Sequence, residues 1–257
     1  MAARAGVIAQ KADATTARLD ALGPLSESGW SGAVPKAALE RVVAQGLPHG
    51  RDEYWKFTRP DGLVAPVAAP AAVLESGEVP VFDGIDGVKL VFVDGVFDAA
   101  ASDDPALAGV KIDRLAEVAE ADIHWAKGLY GALELRGQDP VARPLASLNT
   151  AYATDGVLIH VTGKAEKPVS LIYRHVSESS DAMLHHVVKL DAGAGLTLLE
   201  NGPAAARLNH VLEVEIADGA AFHHVRAQGR DHERQAATHI FARLGKESVF
   251  KSFTLTA

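Results

Sequence analysis

Apolar positions in the first part of the chain recur at helical spacing. Leu19 with Leu22, and Leu39 with Val42 and Val43, form stripes along two Ala-rich segments between Met1 and about Leu47. Gly23, Pro24, Gly29, Gly32 and Pro35 break the pattern between them, so two short helices are expected. After Trp55 the helical period gives way to a Pro- and Ala-rich connector, VAPVAAPAAV, and then to β-type runs around Val88 to Phe97. Helical spacing is expected again from Ile112 to Leu133. From Asn149 onward apolar residues alternate in short runs: GVLIHV, PVSLIYR, AMLHHVVKL, GLTLLE, HVLEVEI, AAFHHVRA, THIFARL and SVFKSFTLT. Turn residues in TDG, GKAEKP, DAGAG, NGP, ADGA and LGKE separate them, with no helix between.

These runs repeat. Gly193, Gly219 and Gly245 each follow an apolar strand and precede another, 26 residues apart in both intervals. Aligning LDAGAGLTLLE with IADGAAFHHVR and RLGKESVFKSF keeps strand, turn and strand in register, with a slip of about two residues in the third copy. An all-β repeat of this length predicts the coil of a parallel β-helix, each coil stacking on the last around a shared interior. The competing architecture is a β-sandwich with regularly spaced turns. Leu196, Leu198, Val211, Val214, Phe222 and Phe250 are the expected inward positions.

Composition narrows the function. The chain has 257 residues, 48% of them hydrophobic, enough for a substantial core. Its formal charge of −8, from 25 basic and 33 acidic residues, leaves no excess of cations for a nucleic-acid backbone. Without cysteine there is no disulfide, thiolate nucleophile or cysteine-ligated cluster. Gln10, Lys11 and Asp13 interrupt the N-terminal apolar run, and no later segment approaches the roughly 20 apolar residues that span a bilayer, so the cytoplasm is the expected compartment.

No phosphate-binding Gly-Lys-Ser/Thr loop and no Gly-x-Ser-x-Gly elbow is present. Eleven histidines suggest metal binding, above all His185 with His186 and His223 with His224. Adjacent residues on a strand point to opposite faces, however, so neither pair can chelate one ion from one side. His160 and His186, one repeat apart, are expected to stack on adjacent coils, but two histidines without a third ligand favour packing over metal. Asp103, Asp104, Asp113, Glu117, Glu120 and Asp122 read as a solvated face around a helix. No catalytic, cofactor-binding or metal site is assigned on these grounds.

The segment LPHGRDEYWKFT resembles a signature of the SufB/SufD family, specifically of its SufD proteins, through Leu47, Pro48, Arg51, Glu53, Trp55, Lys56, Phe57 and Thr58. KLVFVDGVFD, PLASLNTAYATDGVLIHV and NHVLEVEIADGAAFHHVRAQ are similar to later parts of the same family, so the resemblance runs from about Leu47 onward. It implies a small helical N-terminal region and a right-handed parallel β-helix core. On that basis residues 1–63 form the helical region with the signature, 64–148 a mixed α/β connector, and 149–257 the β-helix core. Arg51, Glu53, Trp55, Lys56, Phe57 and Thr58 are expected to be structural, with Trp55 buried against the first coils.

The resemblance further implies a non-catalytic scaffold in iron–sulfur cluster biogenesis, acting with a SufB-like paralogue and a SufC-like ATPase that binds the ATP. No cofactor is expected in this chain; the cluster is handled by the assembled complex. The alternatives are a β-helix carbohydrate-active enzyme, or a structural partner module without cluster function. Family members carry further coils and a C-terminal helical segment, whereas this chain stops at FTLTA. The β-helix is therefore expected to be incomplete there and to self-associate through an uncapped last coil.

Overall fold

The computed structural model describes residues 2–25, 32–73, 80–119, 121, 123–202, 204–228 and 233–256. The chain opens with α1 (Ala2–Leu22) and α2 (Ala33–Gln45), and α2 buries Pro35, Ala38 and Val42, one residue per turn on one face. A 3-10 turn at Glu53–Trp55 and the short α3 (Asp61–Val64) follow. β1 (Val88–Val93) and β2 (Val96–Asp98) make an antiparallel hairpin.

Between these elements and the main repeat lie β3 (Lys111–Arg114), α4 (Leu115–Val118), α5 (Ala132–Arg136) and α6 (Pro144–Tyr152). The helical interlude expected from Ile112 to Leu133 is thus corrected: its first residues form a strand, because Ile112 packs against the apolar interior while its backbone pairs with a neighbouring strand. The helices that remain there are short.

The repeat consists of β4 (Val157–Val161), β5 (Val169–Arg174), β6 (Asp181–Leu190), β7 (Gly195–Asn201), β8 (Arg207–Ile216), β9 (Ala221–Gln228), β10 (Gln235–Leu244) and β11 (Val249–Thr256). One sheet runs in the order β11-β9-β7-β5-β1-β2, and the facing sheet in the order β10-β8-β6-β4-β3. All pairs except β1–β2 and β3–β4 are parallel. From β4 onward consecutive strands therefore alternate between sheets, giving a β-solenoid of about 3 turns rather than a sandwich of hairpins.

Side-chain alternation sorts each strand. Leu196, Leu198 and Phe222 point inward to a shared core with Leu171, Leu184, Leu212 and Val214, and the rings of Phe222 and Phe250 stack at 6.0 Å. Val211 is a correction. It stands an odd number of residues from Val214, so the pleat turns it outward, where it packs with Leu133, Ala146 and Phe241 beneath the helices. Each fully buried Leu or Phe contributes about 1.5–3 kcal/mol relative to exposure.

Coil lengths account for the slip in the sequence repeat. Asp181 pairs with Arg207, 26 positions on, but Arg207 pairs with Gln235, 28 positions on. The left-handed turn residues of successive coils are accordingly Gly193 (φ 71), Gly219 (φ 68) and Glu247 (φ 54), not Gly245. Gly245 is glycine for another reason: a Cβ there would lie 2.5 Å from Asp218 Oδ1 and 2.7 Å from backbone atoms of residues 217 and 218.

Helices cover the outer face of β6, β8 and β10. Val42, Leu47, Val64, Leu145 and Leu148 pack there on Met183 and Ala237. Polar contacts tie the layers together. Asp181 receives Arg18 Nη2 at 2.7 Å and Arg207 Nη2 at 2.6 Å, and Arg207 Nη1 also donates to the carbonyls of Gly62 and Ala65 at 2.9 and 2.7 Å. No helix among the described residues is long and apolar enough to cross a membrane.

Candidate functional site

The same alternation that buries Leu196 and Leu198 buries the next inward residue of β7, Glu200, and on β9 it places His224 and Arg226 beyond Phe222. Glu200 pairs directly with Arg226 across the β7–β9 ladder. Tyr173 from β5, His186 from β6 and His210 from β8 complete an ionisable cluster that is almost wholly enclosed within the solenoid.

A continuous hydrogen-bonded path crosses the coils. The Val157 N–H donates to His186 Nδ1 at 2.9 Å, which leaves the imidazole proton on Nε2, 3.0 Å from the Tyr173 hydroxyl. The Tyr173 O–H in turn donates to Glu200 Oε2 at 3.1 Å. The other carboxylate oxygen accepts from His224 Nε2 at 2.9 Å, and His224 Nδ1 meets Ser252 Oγ of β11 at 2.9 Å. Arg226 Nη1 lies 3.7 Å from Glu200 Oε2 and 3.4 Å from His210 Nδ1. Because a guanidinium only donates, the His210 proton sits on Nε2, 3.4 Å from Glu200 Oε2.

Burial dominates the electrostatics and the charges decide the outcome. Desolvation alone pushes the Glu200 carboxyl up, but His210, Arg226 and the hydrogen bond from His224 outweigh it and hold the group well below the ordinary carboxylate value. Burial lowers His210 well below the imidazole value and lowers His186 to about 4, against the attraction of Glu200. Both rings are therefore uncharged at neutral pH, and Glu200 is then balanced by Arg226 and the hydrogen bonds. Burial and the Glu200 charge together raise the Tyr173 phenol well above its usual range.

The participants come from β5, β6, β7, β8, β9 and β11, so the network staples successive coils across the interior. No group of three His, Asp or Glu among the described residues is arranged to hold a metal ion. The cluster contains an ionised acid, but its members are too enclosed to meet a polymeric substrate.

The histidine pairs divide as the strand geometry requires. His186 points into the network, whereas His185 points outward, where its Nε2 lies 2.9 Å from Glu213. Glu213 also accepts the backbone N–H groups of Gly131, Leu133 and Glu134 at 2.6, 2.8 and 2.8 Å, capping the N-terminal turn of α5. His224 is buried and His223 is exposed. His160 does not stack on His186, a correction to the expectation from their 26-residue spacing. This coil is longer, His160 pairs with Lys189, and its Nε2 meets Asp191 at 3.1 Å. His186 has His210 as its ring neighbour instead, at 4.9 Å.

The acidic stretch does not form one helical face. Asp103 accepts from the Lys89 N–H at 2.8 Å, Asp104 caps a 3-10 turn through the Ala106 N–H at 2.9 Å, Asp113 pairs with Lys111 and His124, and Glu117 pairs with Arg114. Glu120 and Asp122 lie outside the described residues.

The signature segment is placed far from the network. Trp55 is partly buried against the cluster around Val42, Leu145 and Met183. Arg51, Glu53, Lys56, Phe57 and Thr58 are exposed, so among the six signature side chains the inward anchoring expected of the motif is carried by the indole.

Comparison with known proteins follows the same lines. Residues 79–171, which hold β1 to β4 and the first half of β5, match the SufBD protein N-terminal region. Over 198 residues the chain is 30% identical to the iron–sulfur cluster assembly protein SufD of Escherichia coli (strain K12). That match covers 67% of this chain and 44% of the relative, so the chain spans less than half the length of the curated protein it matches. With the parallel solenoid and its helical N-terminal layer, these similarities make the chain a member of the SufB/SufD family.

Proposed function

We propose that this chain is a scaffold subunit in iron–sulfur cluster assembly that works with a SufB-like paralogue and a SufC-like ATPase and turns over no substrate itself. The observation that carries the reading is the similarity to the SufD assembly protein over two thirds of the chain, on a fold of the matching kind. The interior supports a structural part for this chain: its ionisable cluster is closed, and Tyr173, Glu200, His224 and Ser252 on successive coils are joined by hydrogen bonds. With no cysteine of its own, the chain would rely on partners for sulfur ligands, and ATP would be hydrolysed by the ATPase subunit.

The test is co-expression with the SufB-like and SufC-like subunits of the same organism, followed by size-exclusion chromatography and anaerobic cluster reconstitution with iron and sulfide. The expected result is a ternary complex that carries cluster and hydrolyses ATP, while the chain alone does neither. ATP hydrolysis or polysaccharide cleavage by the chain alone, or failure to enter the complex, overturns the proposal.

A further inference from the structure

The signature segment is held firmly yet shows most of its side chains to solvent. Its turn is closed by backbone bonds from Trp55 N to Asp52 O at 2.9 Å and from Thr58 N to Trp55 O at 3.2 Å. The Asp52 carboxylate accepts from Lys11 Nζ at 2.8 Å and from the His49 N–H at 3.0 Å, pinning the turn to α1, and Trp55 is seated on the apolar layer beneath. From this fixed base Phe57 stands 92% exposed and Tyr54 70% exposed, with Lys56 Nζ 5.3 Å from the Phe57 ring centre. A single exposed apolar residue is ordinary on a protein surface. Two aromatics on one ordered turn, flanked by cations, have the composition of an interface hot spot.

The patch continues into a groove. Arg51 and Asp52 of the same turn line an open cleft of about 620 Å³ between α1 and α2, and Ile8 and Val43 bring apolar surface to it, each 62% exposed. Charge selects what fits. Asp52 is neutralised by Lys11, whereas among the described residues Arg51, Lys56 and Arg59 form no ion pair, and Glu53 is the unpaired acid of the turn. A local cationic excess in a chain of net charge −8 favours a short anionic ligand, while the whole-molecule field opposes a long polyanion.

We propose that the turn at residues 51–59, with the adjoining α1–α2 groove, is a docking site for a short acidic segment of a partner protein. Carboxylates of the partner meet Arg51, Lys56 and Arg59, and an apolar side chain covers Phe57 and Tyr54. Because the turn is already ordered, little conformational entropy is lost on its side of the contact. The inference rests on the surface geometry of this chain and is independent of its part in cluster assembly.

The experiment is selection of a random peptide display library on the immobilised full chain, followed by fluorescence anisotropy with the most enriched peptide. The expected outcome is enrichment of peptides that combine Asp or Glu with an apolar residue. Phe57→Ala and a Lys56→Glu/Arg59→Glu double variant should each weaken binding by about tenfold or more, a loss of about 1.4 kcal/mol. Both changes fall on exposed side chains, so unchanged thermal unfolding of the variants will show that folding is intact. The proposal is overturned if no peptide is enriched, if enriched peptides lack acidic residues, or if both variants bind as the parent does. It is equally overturned if the patch serves another class of partner: tighter binding of polyuridylate that these variants abolish would assign it to nucleic acid, and concentration-dependent self-association lost in Phe57→Ala would assign it to a second copy.

Discussion

Replacing Glu200 by Gln changes the solenoid interior by one charge at nearly constant volume. The parent carboxylate faces Arg226 at 3.7 Å and accepts hydrogen bonds from Tyr173 and His224, with no solvent to take over any of these roles. The amide leaves the Arg226 guanidinium buried without a counter-charge, and it presents an N–H group toward a Tyr173 oxygen that already meets His186. Breaking a buried ion pair by removing one partner costs about 3–5 kcal/mol, chiefly through the unpaired charge left behind. With a urea dependence of about 3 kcal/mol per molar, the unfolding midpoint should fall by about 1–2 M at unchanged slope.

The paired control separates charge from packing. Glu200→Leu combined with Arg226→Met removes both charges while filling the space; the buried Tyr173 and His224 groups lose their acceptor, so this variant should lie about 1–3 kcal/mol below the parent but above Glu200→Gln. Equilibrium urea unfolding followed by circular dichroism measures both variants. A Glu200→Gln protein within about 1 kcal/mol of the parent would refute the view that Glu200 balances a buried charge.

Three further outcomes are expected. His186 is lowered to about 4 in the folded chain against an ordinary value of 6.5, so its contribution is complete above pH 6.5 and is lost as pH falls through about 4; the depressed Glu200 adds in the same direction at lower pH. The His186 part is on the order of 3 kcal/mol, and urea midpoints that stay level between pH 7 and pH 4.5 would contradict it. Glu247 occupies the left-handed position that glycine fills at Gly193 and Gly219, so Glu247→Gly should raise stability by about 0.5–1 kcal/mol, whereas Gly219→Ala, whose Cβ meets no atom within 4 Å, should lower it by a similar amount through backbone conformation alone; thermal melts of the two variants check the opposed signs. Glu213→Gln should loosen the first turn of α5, seen as faster hydrogen exchange at the amides of Leu133 and Glu134 with the solenoid strands unaffected.

The coils were legible because alternation and turn chemistry agree over the β region: the strands, their order and the inward places of Leu196, Leu198, Val214 and Phe222 follow from period two and the recurring turn. Val211 was misplaced by parity, which the sequence itself contains. The interior network was within reach of the same reasoning. Counting in twos from Leu198 gives Glu200, counting in twos from Phe222 gives His224 and Arg226, and Glu200 and Arg226 stand one 26-residue coil apart. Charged residues on a strand are nevertheless more often solvated than enclosed, and only the closed cross-section of the solenoid turns that face into an interior. The signature segment shows the limit of such reasoning. Trp55 was the one side chain expected inward, and it packs partly buried on the layer beneath, but which other side chains of a turn are covered depends on the path of α1 and α2, and those helices receive the indole and leave Phe57 outside.

The network also answers a question that hydrophobic patterning leaves open. A slip of β7 against β9 by one residue turns every side chain to the wrong face and is excluded by burial alone. A slip by two keeps all the faces. Leu198 would then meet Phe222 or Arg226 in place of His224, and an apolar interior has little power to tell such registers apart, particularly where coils of 26 and 28 residues follow one another. Glu200 does discriminate, because a two-residue shift takes it from Arg226 and strands two buried charges at once. On this reasoning the charges contribute register more than stability. The Glu200→Leu/Arg226→Met variant should therefore regain part of the unfolding free energy lost in Glu200→Gln while β7 and β9 sample more than one pairing, visible as doubled amide resonances for residues 195–201 and 221–228. A single set of resonances at parent-like stability would show that the turns alone fix the register.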